Sequence, residues 1–422
     1  MCHVGIAVVR VLYLHPRAWT GETPILSKLR AMGHEVCVLE ERRRRDSGKP
    51  EFAPDFAMQG DGVRTMWYDP RRGLVKLLTW PLDHFFKRAF DGRNLVHRMW
   101  IIYRATRRFS PDVIACTDGF TYAIPAAFLR RLGLLRIPLV VSYIGGDILD
   151  CPEAGVGKRR TRLVSWLIRA SIKGIDVMRP LCDSLARILL AEGAPPARIF
   201  VIPIQLGVDI GTLAEIAGRR AFLRASLRER YGIPMNVPLI VTLSGNHKGK
   251  GLHMLARAWP AITSAVPGCR WLLCGPEDPW LIEAVWPTLR EAGLAHTVHF
   301  TGSLRGTDVF EHLAAADLHV NPTLCEGLNM VTVEAAAVGT PTVGTDGAGI
   351  SDWMTRFHSG VVVPAGEVGP LANAIISALR DPNQLGAWSA AGREMINEFT
   401  LDRVADRLVA LFEHARGSVT EP

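Results

Sequence analysis

The chain has 422 residues, 48% of them hydrophobic and 21% charged. That composition excludes a disordered chain and gives room for two domains, each with its own core. The net charge of +8 is unevenly placed: residues 1–200 hold 32 Lys and Arg against 19 Asp and Glu, and residues 201–422 hold 17 against 22. A basic first half is what an acidic partner such as anionic lipid or phosphate would meet, or else it is a solvated basic face.

Eight cysteines are scattered without a Cys-x-x-Cys pair. Cys37 in "EVCVLE", Cys116 in "DVIACT" and Cys274 in "WLLCGP" sit in apolar runs. The set reads as small buried hydrophobes in a reducing compartment. No run approaches the ~18 apolar residues of a membrane span. The opening "MCHVGIAVVRVLYLHP" reads as a first strand, not a signal peptide. The expected place is the cytoplasm. No zinc-finger spacing or RNA-binding motif is present, so nucleic acid is not an expected partner.

In chain order, "RVLYL" predicts a buried strand, "PILSKLRAMG" a helix and "HEVCVLE" a second strand. Pro24 suits a first helical turn and Gly33 a helix stop. "PDVIACT", "IPLVVSYIGGD", "DVMRPLC" and "RIFVIPIQLG" continue the buried-strand pattern. Short Val/Ile/Leu runs alternating with helices predict a parallel sheet covered on both faces. Residues 206–234 are polar, basic and helical, and the alternation then restarts at "PLIVTLSG". It runs through "CRWLLCG", the helix "PWLIEAVWPTLREAG", "TVHFTGS", "DLHVNPT", the helix "MVTVEAAAVG", "PTVGT" and "SGVVVP". The expected fold is α/β, with two doubly wound parallel-sheet (Rossmann-like) domains over residues 1–206 and 207–400. A final amphipathic helix and tail, 401–422, could pack on either domain. In such folds ligands meet the loops leaving the C-terminal ends of the strands, and the default site is a cleft between the domains.

Two of these loops carry chemistry. "SGNHKGKG", with Gly245, Asn246, Lys248 and Lys250, joins a strand to a helix. Its glycines let backbone amides approach an anion, its lysines neutralise phosphate, and the ending is not that of a P-loop. "CEGLNMVTVEAAAVGTP" places Glu326 in a turn and Glu334 one turn inside a helix of roughly 330–338. The free amides at that helix start favour an anion, and Asn329 suits a left-handed turn there. Glu334 then lies at the depth of sugar hydroxyls beside a bound phosphate. From spacing alone, a helix-terminal charge plus a surface carboxylate is an equal reading. No Gly-x-Gly-x-x-Gly opens a helix in either half, which speaks against a dehydrogenase.

"CEGLNMVTVEAAAVGTPTVGTDGAG" resembles the Glu-x7-Glu signature of retaining glycosyltransferases of family 4, the group 1 glycosyl transferases of GT-B fold. "PLIVTLSGNHKGKGLHMLARAWPAI" is similar to that family's first C-domain strand, phosphate loop and helix, and "TVHFTGSLRGTDVFEHLAAADLHVNPT" to the segment before its glutamates. The likeness covers nearly the whole chain and is most specific over 238–380. It implies transfer of a sugar from a nucleotide-diphosphate sugar to a glycan or lipid-linked acceptor, with retention and without a metal or other cofactor. It implies roles in cell-surface polysaccharide or glycolipid biosynthesis. Glu334 would bind the ribose and Glu326 the donor hexose. Lys250 and the backbone of Leu328, Asn329, Met330 and Val331 would hold the diphosphate, and Gly302 to Leu304 would meet the base. Gly21 and Asp147 are secondary candidates in the acceptor-binding half.

Asn246 stands near the place of a family arginine, and Lys248 could supply the missing charge. "SYIGGD" stands where many members carry His-Gly, so no histidine is assigned a catalytic role. A nucleotide-sugar-binding protein of the same fold without turnover is the alternative that Asn246 supports. On the acceptor side, Arg71 to Phe109 interleaves aromatics (Trp80, Phe85, Phe86, Phe90, Trp100) with Lys76, Lys87 and Arg88. That pattern predicts contact with an anionic membrane surface at the inner face, the alternative being that the aromatics are core and the basic residues face water.

Overall fold

A computed structural model of the chain describes residues 8–15, 22–41, 55–58, 64–68, 84, 95–159, 161–245, 247–277 and 279–418. Gly21, Asn246 and most of the aromatic–basic stretch (Trp80, Phe85, Phe86 and Phe90 included) lie outside the described residues. The chain divides into two compact units. The first comprises Met1–Asp150, Gly157–Gly207 and Leu401–Pro422, the second Cys151–Val156 and Val208–Thr400.

The first unit holds a seven-stranded sheet of order β3-β4-β2-β1-β5-β6-β7. The strands are β1 Arg10–His15, β2 Glu35–Glu41, β3 Asp55–Met58, β4 Arg64–Tyr68, β5 Val113–Cys116, β6 Leu139–Tyr143 and β7 Val177–Pro180. All neighbours are parallel except β3 and β4, which pair antiparallel at the edge. Leu12, Leu14 and Cys37 are fully buried, as strands covered on both faces require. The terminal helix Leu401–Gly417 belongs to this unit. Val404, Leu408 and Phe412 pack with Val11, Tyr13 and Ile25, and Lys28 Nζ lies 2.5 Å from Asp402.

One expected strand is absent. "RIFVIPIQLG" runs beside β7 with an isolated parallel bridge, Ile199 to Met178, and two backbone bonds, from the amides of Phe200 and Ile202 to the carbonyls of Met178 and Pro180, without forming a strand. Pro203 has no N–H to give a ladder, and the Arg179 guanidinium takes the carbonyls of Ile202 and Pro203 instead.

The second unit holds a six-stranded, wholly parallel sheet of order β10-β9-β8-β11-β12-β13. The strands are β8 Leu239–Leu243, β9 Arg270–Cys274, β10 Val298–Gly302, β11 Leu318–Asn321, β12 Thr342–Thr345 and β13 Gly360–Val363. Trp259 and Trp271 are fully buried, and each indole N–H donates to a threonine hydroxyl, of Thr297 and Thr242 respectively, at 2.8 Å. The helix expected over "PWLIEAVWPTLREAG" is two, Pro279–Ala284 and Trp286–Glu291, because Pro287 cannot continue a helix interior. Between β8 and β11 the order of connection reverses: β8 leads outward to β9, and β11 outward to β12. The loops leaving these two strands therefore part at the switch point where such sheets take ligands.

Candidate active site

The loop after β8 enters one tight turn over Lys248–Lys250 and then Gly251, at φ 67°, before the helix Leu252–Ala265. A β-carbon on Gly251 would lie 1.8 Å from the Pro322 carbonyl oxygen, so only glycine fits. The Gly249 carbonyl accepts from the amides of Leu324 and Cys325, at 2.8 and 3.4 Å. These contacts tie the lysine loop to the loop after β11. Gly245 and Lys248 are exposed, while Lys250 is half-buried.

The loop after β11 is fixed from both sides. The Glu326 amide donates to the Gly347 carbonyl at 2.8 Å, and the Leu328 carbonyl accepts from the Ile350 amide at 2.8 Å. Asn329 adopts the left-handed conformation, φ 74°, and opens the helix Met330–Ala337. Its Oδ1 accepts from the Thr332 amide at 3.0 Å, which is the cap expected of Asn at a helix start. Its Nδ2 donates to Glu326 Oε2 at 2.8 Å and to Asn321 Oδ1 at 3.2 Å. The other Glu326 oxygen, Oε1, lies 2.5 Å from Lys250 Nζ. Both Glu326 oxygens are thus held, one by a charge and one by an amide.

Glu334 is the opposite case. It lies in the first turns of the same helix, half-buried, and among the described residues no side chain bonds its carboxylate. Burial alone pushes it up to about 7. A half-buried carboxylate without a protein partner is one that a ligand's donors can satisfy. The amides of Met330 and Val331 lie one turn away, and the first amides of a helix have no intrahelical acceptor. Lysine charge, helix amides and two unequal carboxylates therefore line one loop pair.

The other expected site residues are placed as follows. Leu328 is buried, and Met330 and Val331 are half-buried. Gly302 ends β10 with φ 75° and its carbonyl accepts from the Gly275 amide; Leu304 is half-buried just beyond. Asp147 lies in the first unit, buried after β6. Its carboxylate accepts from the amides of Gly119, Ile144 and Gly145 at 2.6, 3.2 and 2.8 Å. Burial raises it to about 6 against those hydrogen bonds. Those amides make Asp147 the fastener of two loops.

Sequence reasoning missed three features. Asn321 and Thr332 complete the network behind Glu326, and only the Asn-x-x-Thr cap spacing could have signalled them. In the first unit, Glu22 lies 3.6 Å from His15 and near Arg179; burial pushes its carboxyl up to about 7, against the pull of that arginine. The third corrects the cysteine reading. Cys37, Cys116, Cys182, Cys269 and Cys274 are free and buried, but Cys151 and Cys325 form a disulfide. They are 174 residues apart in sequence, so no local spacing could announce the pair.

The chain matches two family profiles that together span most of it: "Glycosyl transferase 4-like domain" over residues 23–205 and "Glycosyl transferases group 1" over residues 237–381. It is 26% identical over 422 residues to the putative colanic acid biosynthesis glycosyltransferase WcaL of Salmonella typhimurium, covering 93% of this chain and 97% of that protein. It is 31% identical over 193 residues to the GDP-mannose-dependent alpha-(1-6)-phosphatidylinositol monomannoside mannosyltransferase of Mycobacterium tuberculosis, 44% of this chain and 49% of that one. Among solved structures, sucrose-phosphate synthase of Thermosynechococcus elongatus aligns with a TM-score of 0.70 at 18% identity, over 97% and 99% of the two chains. HepE of Anabaena in complex with UDP and glucose aligns with 0.69 at 17%, over 96% and 100%. At such identities these two likenesses establish the fold.

Proposed function

The chain belongs to the group 1 glycosyl transferases, with the GT-B fold, and on that premise we propose that it moves a sugar from a nucleoside-diphosphate sugar to a glycan or lipid-linked acceptor, with retention and without a metal ion. The observation that carries this reading is Glu334: a half-buried carboxylate with no described side-chain partner, raised to about 7, beside free helix amides and a lysine. Ribose hydroxyls are donors of the kind it lacks. The diphosphate then lies against the Met330 and Val331 amides and Lys250, and the hexose hydroxyls against Glu326. As the glycosidic bond breaks, negative charge grows on the leaving phosphate. Lys250 and the amides stabilise that charge most in the transition state. Lys250 already neutralises Glu326, so it approaches the phosphate oriented rather than free.

The full-length likeness to WcaL supports a polysaccharide or glycolipid setting, and the partial likeness to the phosphatidylinositol mannosyltransferase supports a lipid-linked acceptor. Among the described residues no helix is long and apolar enough to cross a membrane. An acceptor in a membrane would be met through the basic first half. Flotation with anionic liposomes at low salt tests this; protein that stays wholly in the soluble fraction refutes it.

The function itself is tested by thermal midpoints with UDP, GDP, ADP and dTDP, followed by donor hydrolysis without acceptor. A nucleotide at ~100 times its dissociation constant adds about 2.7 kcal/mol. A rise with one nucleotide and slow hydrolysis of its sugar are expected. No rise with any of the four at millimolar concentration overturns the proposal, and binding without any hydrolysis leaves a binding protein of the same fold.

A further inference from the structure

Residues Cys151–Val156 are the one piece of the first 207 residues that groups with the second unit. They form a short strap. Cys151 and Val156 bridge antiparallel, with amide-to-carbonyl distances of 3.0 and 3.1 Å, and Pro152–Ala154 turn between them. Gly155 takes the left-handed conformation, φ 70°, that closes the turn.

The strap lies against the proposed donor site at two points. At one end the Cys151 sulfur is bonded to that of Cys325, the residue immediately before Glu326. At the other end Val156 covers Gly249: a β-carbon there would lie 3.0 Å from Val156 Cγ2. Gly249 in turn accepts from the Cys325 amide. Cys325 is therefore held by its sulfur to the strap and by its amide to the lysine loop. It is buried, at 4% exposure. The disulfide and the Val156–Gly249 contact join the strap to both donor-site loops.

We infer that the Cys151–Cys325 disulfide is a positioning element for Glu326, and that turnover depends on its oxidation state. The inference rests on the donor-site reading above. When the bond is intact, Glu326 is fixed through its neighbour, and its carboxylate stays on Lys250 and Asn329. A dithiol cleaves the bond through a mixed disulfide: the S–S bond breaks, two thiols form, and the dithiol leaves as its own disulfide. The strap then keeps its Val156–Gly249 contact and loses its covalent link to Cys325. The Glu326 loop loses its covalent anchor on one side, and a reacting group displaced by about 1 Å can cost on the order of 100-fold in rate. Glu334 sits on a helix capped by Asn329, without a link to the strap, so the nucleotide keeps its ribose anchor.

The experiment begins with protein purified without reductant, denatured and alkylated, and its mass read intact. The expected result is two fewer alkyl groups than in protein first reduced. All cysteines alkylating without reduction overturns the inference at once. Donor hydrolysis and nucleotide binding are then measured on the oxidised protein, on the same protein reduced by dithiothreitol, and after reoxidation. Expected are a fall in kcat of about tenfold or more, a nucleotide Kd changed less than about threefold, and recovery on reoxidation. Cys151→Ser should match the reduced protein and be indifferent to dithiothreitol. Equal kcat in both states, or a Kd that falls in step with kcat, refutes the positioning role and leaves a brace for stability. If the oxidised protein neither binds nucleotide nor hydrolyses any donor, the donor-site reading fails, and this inference falls with it whatever the thiol count.

Discussion

Replacing Glu334 by glutamine should stabilise the free protein and weaken nucleotide binding at the same time. The carboxyl is raised from an ordinary 4.5 to about 7, by burial. At about 1.36 kcal/mol per pKa decade this corresponds to an upper limit near 3 kcal/mol, and residual solvation lowers it to about 1–3 kcal/mol. The folded state binds this proton more tightly than the unfolded state. The site is therefore most compatible with folding below pH 4.5, loses that benefit as pH rises through about 7, and is constant above. Glutamine carries no charge at any pH. The variant should gain thermal stability at pH 8, by a few degrees at about 2–4 °C per kcal/mol for a unit of this size, and nothing near pH 4.5. The nucleotide reports the other sign. Hydrogen bonds to an ionised acceptor contribute about 1.5–3 kcal/mol each and neutral ones about 0.5–1.5, so affinity should drop roughly 5- to 30-fold. Differential scanning fluorimetry at the two pH values and calorimetric titration at pH 8 measure both. A variant less stable than the parent at pH 8, or one that binds nucleotide equally well, would refute the reasoning about Glu334.

Glu326→Gln should lower turnover on the order of 100-fold while nucleotide affinity stays within about threefold, since it removes a hexose contact and releases Lys250 for the phosphate. Steady-state kinetics alongside titration decide it, and parallel loss of both would displace Glu326 from the sugar. Lys250→Met should cost about 100-fold in kcat and Lys248→Met less than about threefold, because Lys250 is half-buried on Glu326 and Lys248 is exposed. Similar losses in both would show that charge near the loop, rather than its position, matters. Gly251→Ala should lose more than the about 1–3 kcal/mol of its left-handed conformation alone, seen as a lower thermal midpoint of the second unit, because its β-carbon also meets a backbone carbonyl at 1.8 Å.

Most of the second sheet was legible because short apolar runs such as "LIVTL", "WLLC" and "GVVV" end in turn-forming loops. The helix after Asn329 was legible because Asn both caps and tolerates positive φ, and Gly339 at φ 80° ends it. Contact across the fold was not legible. Lys250 and Glu326 are 76 residues apart, and only the switch between β8 and β11 brings their loops together. The resemblance gave the two residues separate partners on the donor, while the structure gives them each other. "RIFVIPIQLG" has the composition of a strand, but Pro203 and the Arg179 side chain decide otherwise. The C-terminal helix is amphipathic wherever it packs; its place follows from Ile25, Tyr13 and Val11 offering an unfilled apolar face.

The contrast between the two glutamates also orders the events at the site. Glu326 is satisfied before any ligand arrives, so a donor must take it from Lys250 and Asn329 or share it with them. Glu334 has no described side-chain partner, so a ligand that reaches it breaks no side-chain hydrogen bond within the protein. On the proposed reading, the nucleoside would engage first and the sugar end by exchange. A free nucleoside diphosphate should then bind with most of the affinity of its sugar conjugate, because the hexose contact is offset by the Lys250–Glu326 contact it loosens. Titrating the two side by side checks this. A sugar conjugate that binds more than about tenfold tighter, about 1.4 kcal/mol, would mean that the Lys250–Glu326 pair persists when the hexose is bound.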